Sequence, residues 1–458
     1  MEARSVFTRR TFLKGAAASM ALLAMACQPT TTEVEPEVAP SEDDGVVAAP
    51  AEKQRVIYWD WWSMTAGPSG RMFEAFERQL PDVEPDIELE LRNIPFGEYF
   101  RAFMAAHAAG DVPDVMHSSV NWGRAFYDRD AIIELNPYME VTPTMSADQF
   151  LPGSLFQQMK GAVHYGVPGE GPDHNCIFYN KTYLEEAGLP SDREVLLEWD
   201  WNDFLEAAEA VTVRDDAGQI TRSGFLVGSP THHNLAYWAG CVGGSFYRED
   251  ETGVAFHEDD AAYDGLNWWQ ELLDKVSQPI GPERQDMEQF IQGTTAMVMG
   301  GPWNYATIME GNPDMEWSAI LLPRKPVPNG QISTGIWNNM LVIPSKAQNR
   351  DAGWRVLTYW CGLEFMLTRL EIGKWMAPRK DFYETPEYQA AREELPVIDN
   401  IPLAPTVGTS IAFIENESIS ATINPIMQGV MLGEVESQVA VDEMVDECNA
   451  ILAEAGYA

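Results

Sequence analysis

Aromatic rings set beside hydroxyls and amides carry the chemistry this sequence offers. Trp59, Asp60, Trp61, Trp62 and Ser63 stand together, three indoles within four positions. An indole presents a flat apolar face, while Ser and Asp supply hydrogen bonds at its edge. That pairing suits a carbohydrate, whose axial C–H face stacks on a ring while its hydroxyls find polar partners. Trp59 is assigned to the preceding strand and its core, Trp61, Trp62 and Ser63 to a ligand. Gly300-Gly301-Pro302-Trp303 repeats the theme: glycines permit a tight turn, proline fixes it, and the ring of Trp303 projects. Thr334-Gly335-Ile336-Trp337-Asn338-Asn339 forms another turn, with Trp337 and Asn338 as candidates. Thr231, His232, His233, Asn234, Tyr237 and Trp238 open a helix that should stop at Gly243-Gly244; His233, Asn234 and Trp238 are its candidate contacts.

Other chemistries find less support. Adjacent histidines point in different directions on a helix, and no third ligand lies nearby, so no metal is expected. Cys176, Cys241, Cys361 and Cys448 are widely spaced without a CxxC pair; they suggest no zinc site and select none of their possible disulfide pairings. There is no GxSxG, HExxH, GxGxxG or Walker pattern, so no catalytic residue and no cofactor is assigned. A glycoside hydrolase needs two carboxylates roughly 5–10 Å apart, an alternative that 70 acidic residues leave open. Those 70 acids face 30 bases, a formal charge of −40. Such a chain repels phosphate backbones and anionic lipid, which argues against nucleic acid and favours a neutral solute.

The elements that must position these residues follow from periodicity. A length of 458 residues predicts two or three domains. Val56–Trp59 is a short β-favouring run, followed by Met72, Phe73, Phe76 and Leu80 at helical spacing. Ile87, Leu89 and Leu91 alternate with charged residues as in a half-buried strand. Phe100, Phe103, Met104 and His107 return to the helical period, Gly110 sits where that helix should stop, and a third strand starts at Pro113–Met116. A β-α-β-α-β series folds as a parallel sheet covered by helices. Ligands bind such sheets at the carboxyl ends of strands, which directs attention to residues just past each strand. Asp114, before a strand, is assigned to turn support.

The chain's first segment reads as an address. Thr8-Arg9-Arg10-Thr11-Phe12-Leu13-Lys14 resembles the twin-arginine export motif, and Leu23-Ala24-Met25-Ala26-Cys27 resembles a lipobox, with Ala24 where Leu is commonest. Residues 1–26 are therefore expected to be removed as a signal peptide. Residues 27–54 are expected to be an acylated Cys27 and a disordered acidic linker. Loss of Glu2 and four bases would take the charge from −40 to −43. No later segment reaches the roughly 18 apolar residues of a membrane span. The twin-arginine route usually carries folded cargo, which is compatible with free buried thiols.

Gly110-Asp111-Val112-Pro113-Asp114-Val115 resembles the G-D-x-P-D-V stretch of bacterial extracellular solute-binding proteins of the sugar-binding, maltose-binding-like family. Phe178-Tyr179-Asn180-Lys181 with Glu186-Ala187-Gly188-Leu189, the Trp199–Phe204 helix start, and Phe290–Met297 running into Gly300–Trp303 are similar to further family segments, in the same order. The resemblance implies an α/β, two-lobed periplasmic-binding-protein fold of type II, each lobe a mostly parallel sheet covered by helices, with a hinge and a central cleft. By analogy, lobe 1 comprises residues 55–170 plus 330–370, and lobe 2 comprises 171–329 plus 371–458. Gly166–Asn175 is taken as the first crossing between them. The resemblance adds Ser118, Asn121 and Trp122 as hydrogen-bonding candidates and Asp173 as an acceptor for sugar hydroxyls. Arg379 is added as a ligand contact or an inter-lobe ion pair. It also implies a monomer that captures a sugar and delivers it to the permease subunits of an ABC importer. A polyol, polyol phosphate or peptide is the alternative solute. Changing Cys27 to Ala is expected to move the protein from the membrane to the soluble fraction, read by fractionation; wild-type protein that is already soluble and unacylated would overturn the lipobox reading.

Overall fold

The computed structural model describes residues 53–457 apart from 251, 280–285, 401–403, 405–408 and 411–413. The expected signal peptide, Cys27 and the linker up to residue 52 lie outside the described residues. The first run of elements is β1 (Gln54–Asp60), α1 (Gly67–Val83), β2 (Ile87–Asn93), α2 (Phe96–Ala109), β3 (Val115–Ser118) and α3 (Val120–Asp128). β1 pairs in parallel with both β2 and β3, as the alternating pattern requires. Gly110 takes a left-handed φ of 78° and ends α2, a conformation that costs glycine little. Two further strands, β4 (Val167–Pro168) and the later β12 (Met340–Val342), complete the order β2-β1-β3-β12-β4.

Side-chain alternation along this sheet builds a core on each face. Val56, Tyr58 and Val115 pack on one side with helices α7 (Arg350–Trp360) and α8 (Leu363–Gly373), whose Trp360 and Phe365 are fully buried. Trp59 and Met116 point the other way, against Tyr99 and Phe103 of α2 and Phe126 of α3. Trp59 therefore belongs to the core. Asp114 ties the layers together: its carboxylate accepts the Ile57 N–H of β1 at 3.0 Å and the Asn349 N–H before α7 at 2.8 Å.

The second lobe is built on β6 (Cys176–Asn180), β7 (Val213–Arg214), β8 (Ile220–Leu226), β9 (Thr295–Gly300) and β10 (Trp317–Ile320), in the order β10-β6-β9-β8-β7. Here β8 and β9 run parallel, whereas β6 is antiparallel to both its neighbours. One face is covered by α4 (Trp201–Val211), α5 (His232–Val242), α6 (Ala261–Val276), α9 (Asn416–Met431) and α10 (Ser437–Glu454), whose apolar residues share one core. Asp200 starts α4 with a reciprocal cap, accepting the Asp203 N–H while the Asp203 side chain accepts the Asp200 N–H.

A third, three-stranded sheet lies where the chain passes between the other two: β5 (Asp173–His174), β11 (Gly335–Trp337) and β13 (Thr409–Ser410), with β11 in the centre. Cys176, Cys241, Cys361 and Cys448 are buried free thiols. Burial pushes the thiols of Cys361 and Cys448 up to about 12, so they stay protonated. Among the described residues no helix is long and apolar enough to cross a membrane. Asp114→Ala should cost about 1–3 kcal/mol, because two backbone N–H groups lose their acceptor beside the core; a shift in unfolding free energy below about 0.5 kcal/mol, read by denaturant titration, would mean that the tie carries no weight.

Candidate functional site

The carboxyl ends of β1 and β3, the amino ends of α2, α3 and α5, and strands β5 and β11 of the third sheet converge on a cavity of about 470 Å³. Trp61 and Trp62 follow β1 and form one wall with Phe96, the first residue of α2. Trp303, Trp337 and Tyr237 form the opposite wall, from the second lobe and the third sheet. The rings of Trp303 and Trp337 lie 5.2 Å apart at 49°. Trp303 folds back on Gly301, where any Cβ would sit 2.0 Å from its ring. That glycine is needed for close approach.

Polar atoms fill the edges. Ser119 caps α3 by accepting the Asn121 N–H at 3.3 Å, leaving the Asn121 side chain facing the cavity with its Oδ1 unbonded among the described residues. Thr231 caps α5 in the same way through Asn234 N–H at 3.3 Å. Thr231, His233 and Asn234 line the cavity with Asn175 and Asn339. Burial, reinforced by neighbouring His232, holds His233 well below its ordinary range, so its imidazole is neutral. His232 is engaged by Asn416 at 2.9 Å and Asn424 at 3.3 Å. Asp173 supplies the carboxyl group of the lining; burial and then the charge of Glu170 raise it well above the usual carboxylate range. Among the described residues no Lys or Arg lines the cavity.

Behind the Trp61–Trp62 wall lies a set of buried charges. Asp60 Oδ2 accepts the Tyr58 hydroxyl at 2.7 Å and lies 3.0 Å from His117 Nδ1, and Asp60 Oδ1 accepts the Trp62 backbone N–H at 2.9 Å. Glu170 accepts the Trp62 indole N–H at 3.2 Å and the Asn339 amide at 3.1 Å, and its Oε2 is 3.5 Å from His117 Nε2. Arg369 of α8 stands 3.9 Å from Glu170 and donates to the Gly169 carbonyl at 2.7 Å. The ring of Trp61 stacks on His117, centroids 4.0 Å apart and planes 12° apart.

Of the residues singled out from the sequence, Trp61, Trp62, Asn121, Asp173, His233, Asn234, Trp303 and Trp337 meet around this cavity. Six others stand elsewhere. Ser63 is exposed and accepts the Ala66 N–H in a local turn at 3.2 Å. Ser118 is buried and donates to the Ser119 carbonyl, so strand alternation gives the cavity Ser119 instead. Trp122 packs against Tyr99 and donates its indole N–H to Glu417 of α9 at 2.9 Å. Trp238 is fully buried in the second-lobe core beside Trp201 and Trp268. Asn338 accepts from Ser154 at 2.8 Å and donates its backbone N–H to Gln157 at 2.9 Å, and Asn339 takes the cavity position. Arg379 is not among the lining residues, and its ion pair is local: it binds Asp381, two residues on, at 2.7 Å and donates to the Thr144 carbonyl at 2.9 Å.

Phe96, Ser119, Asn175, Thr231, Tyr237 and Asn339 also line the cavity. Ser119, Thr231 and Asn339 are neighbours of residues the sequence did single out, and the helix-start rule would have included the two caps. His117 carried no spacing signal at all. A larger groove of about 1020 Å³, running past Phe156, Arg124, Lys160 and Arg248, holds none of the residues singled out.

The chain belongs to the bacterial extracellular solute-binding protein family, whose model matches residues 66–366. A solute-binding protein from Thermotoga lettingae bound with alpha-D-tagatose is 21% identical over 87% of this chain and 100% of its own, with a TM-score of 0.73. A substrate-binding protein from Listeria monocytogenes in complex with cycloalternan matches 88% of this chain and 100% of its own at 16% identity and a TM-score of 0.74. The maltose/maltodextrin-binding domain from Bdellovibrio bacteriovorus bound to maltotriose gives 14%, 87%, 100% and 0.75. The fold is thus the two-lobed periplasmic-binding-protein fold of type II.

Trp303→Ala should weaken ligand binding about ten- to a hundredfold, from roughly 1.5–3 kcal/mol of ring burial, with little change in melting temperature. Trp238→Ala should instead cost about 3–5 kcal/mol of stability, as a buried ring leaves a cavity. Calorimetric titration and a thermal melt of both variants check this; a large melting loss in Trp303→Ala, or an unchanged Kd, would remove Trp303 from the ligand.

Proposed function

We propose that this protein captures a sugar between its lobes and delivers it to the permease of an ABC importer, tethered to the membrane by acylated Cys27. The observation that carries the reading is the composition of the cavity. Trp61, Trp62, Phe96, Trp303, Trp337 and Tyr237 surround it from both sides, and amides and hydroxyls fill the edges. Apolar ring faces with fixed polar edges match the alternating C–H and hydroxyl surface of a pyranose. The free Oδ1 of Asn121 is an acceptor placed for a hydroxyl.

The lining also weighs against the alternatives. Among the described residues no Lys or Arg lines the cavity, so none of them offers a polyol phosphate a counter-charge. Among the described residues Asp173 is the single carboxylate of the lining, and the nearby Glu170 is engaged by Trp62 and Asn339. Glycoside cleavage by a carboxylate pair would need a second free group. Binding without turnover is the consistent reading, with the lobes closing on a solute that touches both walls.

A panel of mono- and oligosaccharides, polyols and peptides, followed by thermal melts and by mass spectrometry of the solute, tests this. A cognate sugar at a hundredfold its Kd adds about 2.7 kcal/mol to native stability and raises the melting temperature by on the order of 5 °C, with its mass unchanged. Stabilisation by a non-sugar alone, or a change in sugar mass, would overturn the reading.

A further inference from the structure

We propose that Glu170 and His117 are positioning residues for the ligand: they touch no solute themselves but hold Trp61 and Trp62 in the orientation that binds it. The inference rests on the sugar reading for its ligand, and on geometry for its mechanism. Trp62 is fastened at two points, its backbone N–H to Asp60 at 2.9 Å and its indole N–H to Glu170 at 3.2 Å. Trp61 lies flat on the His117 ring at 4.0 Å. His117 stands between the two carboxylates, 3.0 Å from Asp60 and 3.5 Å from Glu170, and is fully buried. Asp60, His117 and Glu170 are absent from the cavity lining, so their effect on a ligand must pass through the two indoles and Asn339.

The groups that face His117 are Asp60 and Tyr58 from β1, Tyr99 from α2, Glu170 and Asp173 from the first crossing, and Arg369 from α8. Burial pushes the imidazole down, but the Asp60 and Glu170 carboxylates outweigh it and the net direction is up. His117 is therefore charged on the acid side and loses its proton only above its ordinary range. Below that point Nδ1 donates to Asp60, and the imidazolium charge stands 3.5 Å from Glu170. Above it the positive charge beside Glu170 is lost, and Arg369 stays as its cation at 3.9 Å. Affinity should be full on the acid side, where His117 is charged, and fall as pH rises through the His117 transition.

Two variants of the full chain and two readouts test this. Calorimetric titration with the sugar the panel identifies, from pH 6 to 9, should show alkaline weakening in wild type. Glu170→Gln should bind about tenfold more weakly, and His117→Gln should have a flat profile. An intact fold with unchanged Kd in Glu170→Gln, or an alkaline fall that persists in His117→Gln, overturns the proposal. A purely structural role would lower the melting temperature without flattening the pH profile. The second readout needs no sugar. A charged imidazole stacked on an indole quenches its emission, so the fluorescence difference between wild type and Trp61→Phe should brighten on the alkaline side, and this transition should vanish in His117→Gln. Its absence from wild type overturns the proposal even if Glu170→Gln fails to fold. Its presence when no sugar binds supports the positioning chain while removing the sugar reading.

Discussion

Two carboxylates, Asp60 and Glu170, sit where water scarcely reaches, and the surrounding architecture is arranged to satisfy them. A buried charge without partners costs several kcal/mol, and removing one member of a buried pair typically costs about 3–5 kcal/mol. Compensation here comes from far apart in the chain: Tyr58 of β1, His117 of β3, Asn339 before β12 and Arg369 of α8. The network therefore fastens three strand ends and the Gly169–Glu170 segment at one point. Rigid ring placement at the cavity is a by-product of meeting that electrostatic demand.

The two lobes use the same logic with different materials. In the first, strand ends and helix starts put Trp61, Trp62 and Phe96 on one wall, supported by ions. In the second, Trp303 and Tyr237 rest on close backbone contacts at Gly301 and Gly335, where a Cβ would sit 2.0 Å from either ring. A solute between the walls joins a charge-braced surface to a backbone-braced one. Away from the cavity, α3 meets the carboxyl-terminal helices through Trp122–Glu417, Arg129–Glu415 and Asp128–Tyr457. Of these only Arg129–Glu415 is an ion pair, and an exposed pair of that kind contributes little by itself.

The strongly acidic composition is absent from the cavity wall. Among the described residues Asp173 is the one acid that lines it, and that group is held toward its neutral form by burial and by Glu170. A neutral polar solute meets no opposing charge there, so the surface charge governs long-range encounters and solubility rather than recognition.

Local pattern determined a good deal from the sequence alone. The alternation of Ile87, Leu89 and Leu91, the helical spacing of Met72, Phe73, Phe76 and Leu80, and the glycine stop at Gly110 are set by nearest neighbours, and each emerged as read. Attention to residues past strand ends likewise led to Trp61, Trp62 and Trp303, which line the cavity from beyond strands, whereas Trp337, read as part of a turn, lines it from the end of β11. Tertiary structure alone decided between adjacent candidates. Ser119 rather than Ser118 and Asn339 rather than Asn338 face the cavity, since a strand turns alternate residues to opposite sides and its register is fixed by distant partners. Trp122 and Trp238 look identical in sequence to binding indoles, yet neighbouring helices bury them, and Arg379 found an acid two residues away. The contact of Trp62 with Glu170 spans 108 residues. No local spacing encodes such a pair, because it forms only when the sheet and the crossing segment close upon the same buried charge.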